Sequence, residues 1–566
     1  MLFHRLIFFA LACAALSAEG DLLRRVQAHL LLNDPGSAAS ETRQALLKGP
    51  RDSETLKAAV LSFAAAGDEE AMRSAFAELS RKDPAAAEDR FLIEQMAWGV
   101  LEKGSRTCEP ITRAITLVAA GISDSAHGVQ LLYGGMKDSS ALIRAASIDL
   151  SKRMRDTLLQ EEVVRLMSDD PSWHVRLSAM KNAGSMHARQ ATPYLERIVS
   201  ADYVSAEERA AAVMSLAQLR DEPTDAELKK LVSSGREGLK LLALELMVNS
   251  GTEQQIPLIK PLLHDASKGV RMAALQVIGL MGGSSLGWHE PLLKDPQPEV
   301  ALTAAWLSVL KGDPEGGRLL LQGLTHTNQE VRLYAAGLLK SSGRKGSGAL
   351  KVGFQSAQDP FVRLNLALGL MGCRQNVDGA CRNLADNLKS GGRWMWKQNG
   401  VVRVIAPSDV PYRPDIPQFP ELMDQITRLE VIQVLAVAES PHAEGALKDF
   451  LQRRFTAVSG LAATVMFEEA EEEAEKLVRK LLQDSDETIS AQAALLLALW
   501  GKEDEVVEHL TALYKTADRN LKERILEALG RIGSRRATPF LIERFAEPHQ
   551  HLRLIAASSL IQCLNH

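Results

Sequence analysis

Few residue sets in this chain have types suited to chemistry, and each fails on spacing. His549 and His551 in "EPHQH" stand close enough to pick up a metal adventitiously, but no third ligand is spaced to complete a site. "SSGRKGSGAL" (341–350) has the glycines of a phosphate loop without its Gly-Lys-Ser/Thr ending or a preceding strand, so a turn between helices is expected there. The run "FEEAEEEAEKLVRK" (467–480) carries six Glu and reads as a solvated helix with Glu–Lys pairs, with an acidic contact patch as the alternative. Cys13, Cys108, Cys373, Cys381 and Cys563 contain no C-x-x-C zinc spacing and are too few for a disulfide scaffold. Cys373 and Cys381 are close enough to bridge across a helix–helix loop in an oxidising compartment, although a pair of buried small side chains is the preferred reading. No Ser-His-Asp or Cys-His set emerges. Catalytic, cofactor and metal residues are therefore expected to be none.

The elements behind these residues are more telling. A chain of 566 residues exceeds one compact core, and its wealth of Leu and Ala with only 5% aromatics favours helices. A net charge of −5 leaves no basic stripe for nucleic acid. Aligning the basic residue after each helix start gives Arg144, Arg176, Arg209, Lys240, Arg271, Ala301, Arg332 and Arg363, with gaps of 32, 33, 31, 31, 30, 31 and 31. The series resumes at Arg428, Ser459, Ser490, Arg524 and Arg553 after a step of 65 that must hold a degenerate copy or an insertion. Such a period marks stacked units that bury their apolar faces on one another. Each unit reads as two helices, the first opened by Asp-Pro at Asp170–Pro171, Asp295–Pro296 and Asp359–Pro360, an N-cap acceptor before a first-turn proline. A shorter second helix follows, as in "ATPYLERIVS" (191–200).

The pattern "D-x-x-x-x-V-R-x-x-A-x-x-A-L-G" followed by "A-x-P-x-L" resembles the HEAT-repeat family, in particular its bacterial phycobilisome-lyase-like form, over about residues 105–566. That resemblance implies an all-α fold, an α-solenoid of stacked antiparallel helix pairs in which the second helices line a concave face. It also implies an inter-repeat ladder built from Asp138, Arg144, Asp170, Arg176, Arg209, Lys240, Asp265, Arg271, Arg332, Asp359, Arg363, Arg524 and Arg553. An acid stands six residues before the basic position in Asp138/Arg144, Asp170/Arg176, Asp265/Arg271, Asp518/Arg524 and Glu547/Arg553. A carboxylate suits a helix N-terminus, and an arginine fork suits a bridge to the next repeat. The related hypusine-forming hydroxylase holds di-iron with repeated His-Glu pairs. This chain has one such pair, His289–Glu290, and nothing in it argues for a bilin.

Two regions depart from the repeat. Residues 18–104 resemble TPR-like hairpins, with Pro50 and Pro84 each ending a helix, or else form an irregular helical cap. Residues 391–420 hold five prolines between Pro407 and Pro420, which favours extended chain. This insertion either plugs the array with its own aromatics or offers a partner surface through Trp394, Trp396, Tyr412 and Phe419. The solenoid is expected over 105–390 and 421–566.

The first 17 residues resemble a signal peptide: cationic "MLFHR", apolar Leu6–Leu16, and small residues at Ala15 and Ser17. Lipidation at Cys13 is the rival, weakened by Ala10 where a lipoprotein signal carries Leu. The expectation is an exported, periplasmic or envelope-associated scaffold that binds protein partners without catalysis, with no cofactor and no nucleic acid. It would be held at a membrane only if lipidated at Cys13. A tethered lipoprotein assembly factor and a HEAT-like lyase or other enzyme are the alternatives.

Overall fold

The computed structural model describes residues 22–105, 109–123, 125–201, 204–220, 225–250, 253–408, 419–452, 460–467, 471–500 and 504–565. These residues are helical almost throughout, and the chain divides into two units, Met1–Val163 with Leu497–His566, and Val164–Leu496. The fold is an α-solenoid of antiparallel helix pairs.

The first unit is built from both ends of the chain. Asp34, Asp52 and Asp68 each cap a helix in its N-terminal part by accepting from the main-chain N–H of Ser37, Thr55 and Ala71. Glu69–Lys82 ends at its C-cap Asp83 directly before Pro84, which itself begins the short helix Pro84–Ala87, where its missing N–H costs nothing. Gly99 lets Arg90–Ser105 approach Ser53–Ala65 closely, since a Cβ there would lie 2.5 Å from the Ala64 carbonyl oxygen. The last helix, Gln550–Asn565, packs on Arg90–Ser105, on Pro110–Ser123 and on its predecessor Arg519–Ile532. Gly104 makes this fit possible, as a Cβ would stand 2.6 Å from a Leu554 methyl. Arg90 also donates to the Asn565 side-chain oxygen at 2.9 Å.

Residues 22–105 form helical hairpins, as either reading of that segment expects. The leading helices bury their faces against the last one, and residues on both sides of 104 share one packed unit.

In the second unit the first helices are apolar nearly all round. In Gln329–Ser341, for example, every residue from Leu333 to Leu339 is buried. Such a helix must be covered on several sides, by its neighbours in the row and by the second layer. The second helices are shorter, and Glu253–His264 is a 3₁₀ helix containing Pro257 and Pro261, which cannot donate to an α-helical ladder. Gly343–Gly346 is the turn between Gln329–Ser341 and Ser347–Ser356.

The step of 65 holds an insertion. Between Val377–Leu388 and Phe419–Val437 runs a two-stranded antiparallel hairpin, β1 Trp394–Asn399 and β2 Val402–Pro407. Its two-residue turn places Gly400 at φ +58°, where a tight hairpin turn requires glycine. Among the described residues no helix is long and apolar enough to cross a membrane.

Candidate functional site

The ladder joins successive turns. The guanidinium of Arg271 donates to its own turn, to the carbonyls of Asp265 at 2.7 Å and Ala266 at 3.1 Å. Its other edge meets the carboxylate of the next turn, Asp295, at 3.0 and 3.1 Å. Asp295 in turn accepts from the main-chain N–H of Gln297. Arg332 repeats the arrangement with the carbonyls of His326 and Thr327 and the carboxylate of Asp359, 2.8 Å away. Lys240 pairs with Asp265.

Asp138 and Asp265 lend their carbonyls to the arginines six residues on, Arg144 and Arg271, and their carboxylates to the preceding cations, Arg113 and Lys240. Arg144 and Arg176 donate to the Asp138 and Asp170 carbonyls, and both acids accept from an N–H two residues on. Arg209 donates to the Ala201 carbonyl while its stem lies against Gly238.

Burial alone would raise the carboxyl of Asp359. The Arg332 hydrogen bond, the N–H groups of Val362 and Phe361, and Gln329 outweigh it and hold the group below the usual carboxylate range. Asp265 is held low in the same way by Lys240, the Ser267 N–H and Arg271.

Two ladder residues are corrected. Arg363 is exposed and stacks over Phe354 at 5.0 Å, and residues 409–418, which lead into the next first helix, lie outside the described residues. Arg524 is the sixth residue of its helix, whereas ladder cations are the fourth; Lys522 holds that place, and Asp518 caps the helix through the Leu521 N–H.

Two rungs have a partner that the sequence reading did not name, Arg113 for Asp138 and Glu69 for Arg553. Arg113, fourth in Pro110–Ser123 and 31 residues before Arg144, pairs with Asp138 at 2.9 Å; the period itself pointed to it. Arg553 donates to the Glu547 and Pro548 carbonyls like any ladder arginine, but the carboxylate it meets, at 2.8 Å, is Glu69. The first turn of Glu69–Lys82 thereby stands where the next repeat's acid would be.

The second feature is the seat of the β-hairpin, within the second unit. Side chains of five successive first helices hold it, mostly by its main chain. Gln276 donates to the Asn399 carbonyl at 3.2 Å, and Ser341 to that of Val401 at 3.2 Å. Lys340 donates to the Arg403 carbonyl. Asn365, wholly buried, donates to the Ile405 carbonyl at 2.8 Å and accepts from the Ile405 N–H at 2.9 Å. Asp424 accepts from the Trp394 N–H at 2.7 Å. Thr303 contributes indirectly, bonded to the Tyr334 hydroxyl that also contacts Gln276.

Gly337 leaves room for the hairpin's apolar side; a Cβ there would stand 2.4 and 2.6 Å from methyls of Val402 and Val404. Arg428 occupies no ladder rung. It pairs with Asp424, donates to the carbonyls of Leu388 and Gly392, and lies 4.3 Å over the Trp394 ring.

Of the four candidate partner contacts, Trp394 is buried against Arg428 and Phe361. Trp396 is half-buried, facing Lys340 at 4.9 Å and Arg403 at 4.1 Å. Tyr412 lies outside the described residues, as does Ser459. Phe419 opens the helix Phe419–Val437, and its side chain also lies outside the description. Burial, aided by the Arg403 charge and opposed by Glu430, pulls Lys340 down to about 8. The hairpin covers the first helices of the repeats, not the shorter second ones that the resemblance assigns to a concave face.

Cys373, Cys381 and Cys563 are free and buried, so Cys373 and Cys381 do not form a bridge. Cys13 and Cys108 lie outside the described residues. Among the described residues no three His, Cys, Asp or Glu are placed to hold a metal. His289 is buried and bonded to Ser308 at 3.1 Å, and desolvation lowers its pKa.

Comparison with known proteins agrees in kind. Residues 474–561 match the family model described as HEAT repeats. No curated protein matches the chain. Among solved structures, the complex of CpcE and CpcF of phycocyanin lyase from Nostoc sp. PCC7120 is 19% identical, covers 45% of this chain and 91% of its own, with a TM-score of 0.27. The myosin chaperone UNC-45 from C. elegans, in complex with a Hsp90 peptide, is 14% identical over 96% of this chain and 81% of its own, at 0.31. Kap121p is 11% identical over 97% and 82%, also at 0.31. None of these overlaps is close enough to carry a functional argument. Residues 474–561 thus match HEAT repeats, and the same helix-pair stacking with its cation–carboxylate ladder runs through described repeats outside that span.

Proposed function

We propose that this solenoid is a non-catalytic scaffold that holds protein partners, exported and working in the periplasm or envelope. The observation that carries the binding part is the hairpin seat. Six main-chain groups between Trp394 and Ile405 are held by side chains of the solenoid, so this face is built to grip polypeptide largely without regard to sequence. The ladder, by contrast, spends its charges on its own turns.

Export rests on the leader-like first 17 residues alone. The test is fractionation with intact-mass analysis, followed by crosslinking in the fraction that holds the protein. A mature chain beginning near Ala18, with protein crosslinks, supports the whole reading. A start at Cys13 with acyl chains makes it a tethered assembly factor instead. An uncleaved Met1 in the cytosol removes export and leaves the scaffold to be judged by its crosslinks.

A further inference from the structure

The hairpin meets its seat in two ways. Its base is held by apolar contact, with Trp394, Val404, Ile405 and Ala406 all buried. β2 is gripped as well. Asn399 and Val402 flank a two-residue turn, so the main-chain groups of Arg403 and Ile405 point away from β1. Lys340 donates to the Arg403 carbonyl, and Asn365 takes both groups of Ile405. Side chains of β2 are matched too. Gly337 makes room for Val402 and Val404, and Glu430 accepts from the Arg403 guanidinium with both oxygens at 2.8 Å.

Polar grips of this kind are not what a permanent plug needs. Water replaces such bonds on release, so they add little net stability, and what they fix is the register of an extended chain. The closed seat also carries costs. Burial and the neighbouring Arg403 guanidinium both work against the Lys340 ammonium, with Glu430 as the opposing charge. The Trp396 indole N–H is buried with no partner among the described residues. Toward the tip the hairpin loosens: Gln398, Asn399 and Gly400 are exposed, and a two-stranded hairpin has little stability of its own.

We propose that β2 is a resident ligand and that the seat beneath it receives a partner protein: an extended segment with a basic residue between Val or Ile residues takes the place of β2, entering from the hairpin tip. This rests on the scaffold reading and names the partner's class. The main chain of such a segment meets Lys340 and Asn365, its β-branched side chains meet Gly337, and its cation meets Glu430.

The test uses the full chain and a fluorescein-labelled octapeptide copying Gly400–Pro407, followed by anisotropy and by hydrogen exchange in the protein's own 393–408 segment. Saturable binding is expected, with exchange across 402–406 rising as the site fills. Methylating the peptide nitrogen that matches Ile405 removes the donor to Asn365 and should weaken binding at least tenfold, as should Glu in place of the peptide's Arg. Trp394→Ala, which loosens the hairpin's base without touching the grips on β2, should tighten binding at least threefold. Absence of saturable binding to the wild-type chain, binding with 402–406 still protected, or equal binding of either altered peptide would each overturn the proposal. So would unchanged affinity in Trp394→Ala once its hairpin exchanges faster. The altered peptides leave the protein as it is, so they decide the matter even where that variant fails to fold. If native partners still crosslink to the chain after such a result, the scaffold reading survives and only displacement of β2 falls.

Discussion

Replacing Asn365 with Leu, a side chain of similar size, should free the hairpin without unfolding the helices beneath it. Asn365 and Ile405 are both wholly buried, and their two hydrogen bonds, 2.8 and 2.9 Å, are those the structure gives the Ile405 N–H and carbonyl outside the hairpin ladder. Leaving a buried donor and acceptor without partners costs about 1–3 kcal/mol each, so about 4 kcal/mol together, or close to a thousandfold in the closed-to-open ratio. Leucine fills the volume, so little of the loss comes from a cavity. The lost Asn365 bond to the Phe361 carbonyl adds a smaller helix-local effect. Hydrogen exchange read by mass spectrometry on a peptide spanning 393–408 is the assay, with peptides from Gln329–Ser341 and Pro360–Gly372 as internal references. Exchange in 402–406 should rise steeply while the references hold. Asn365→Asp, which keeps the acceptor and loses the donor, should fall between. Unchanged protection of β2 in both variants, with native helicity, would refute the claim that these main-chain bonds seat the hairpin.

Gly337→Val should dislodge the same hairpin by overpacking against Val402 and Val404, at a cost of about 1–3 kcal/mol; unchanged exchange in β2 would count against the close fit. Arg271→Ala should lower Tm by leaving the nearly buried Asp295 without its cation, about 3 kcal/mol, yet leave partner binding intact; lost binding at unchanged Tm would show that Arg271 faces a partner. Arg553→Ala should deprotect both Glu69–Lys82 and Gln550–Asn565 in hydrogen exchange, whereas loss confined to the C-terminal helix would mean the seam does not depend on this pair. Because the native carboxyls of Asp265 and Asp359 sit below their unfolded values, their contribution is complete above the ordinary carboxylate pKa of about 4 and is lost as pH falls through the lowered ones. Asp359→Asn should flatten that acid limb of a Tm-versus-pH curve, and an unaltered limb would refute the assignment. Cys563, its thiol pushed up to about 12 by burial, should resist iodoacetamide in the native protein at pH 8; rapid modification would show that the last helix opens readily.

The repeat was legible because a local rule, a cation in the fourth position of most first helices, leaves a periodic trace. It misled at Arg524, where two cations, Lys522 and Arg524, lie within one turn and the acid six residues back favoured the wrong one. Moving to Lys522 gives steps of 32 and 31, which is the truer register. Glu69 left no trace, since its partner Arg553 comes from the far end of the chain and no period links them. The hairpin had a signal that went unread: Asn399-Gly400 between "WMWKQ" and "VRVIA", a turn dipeptide flanked by strand formers. The prolines after it drew the reading toward extended coil. The amides that seat the hairpin, Gln276 and Asn365, look in sequence like ordinary polar interruptions of apolar helices. Only the third dimension shows what they hold.

The docking of Gln550–Asn565 onto Arg90–Ser105 and Pro110–Ser123 also sets an order of events at the ribosome. Arg90–Ser105 and Pro110–Ser123 expose their contact face until Gln550–Asn565 is made. At roughly 5–20 residues per second, some 400 intervening residues impose a wait on the order of 20–80 s. Val164–Leu496, contiguous in sequence, is made entirely within that interval. Loss of Gln550–Asn565 would therefore strip the packing from Arg90–Ser105 and Pro110–Ser123 as well as removing a helix.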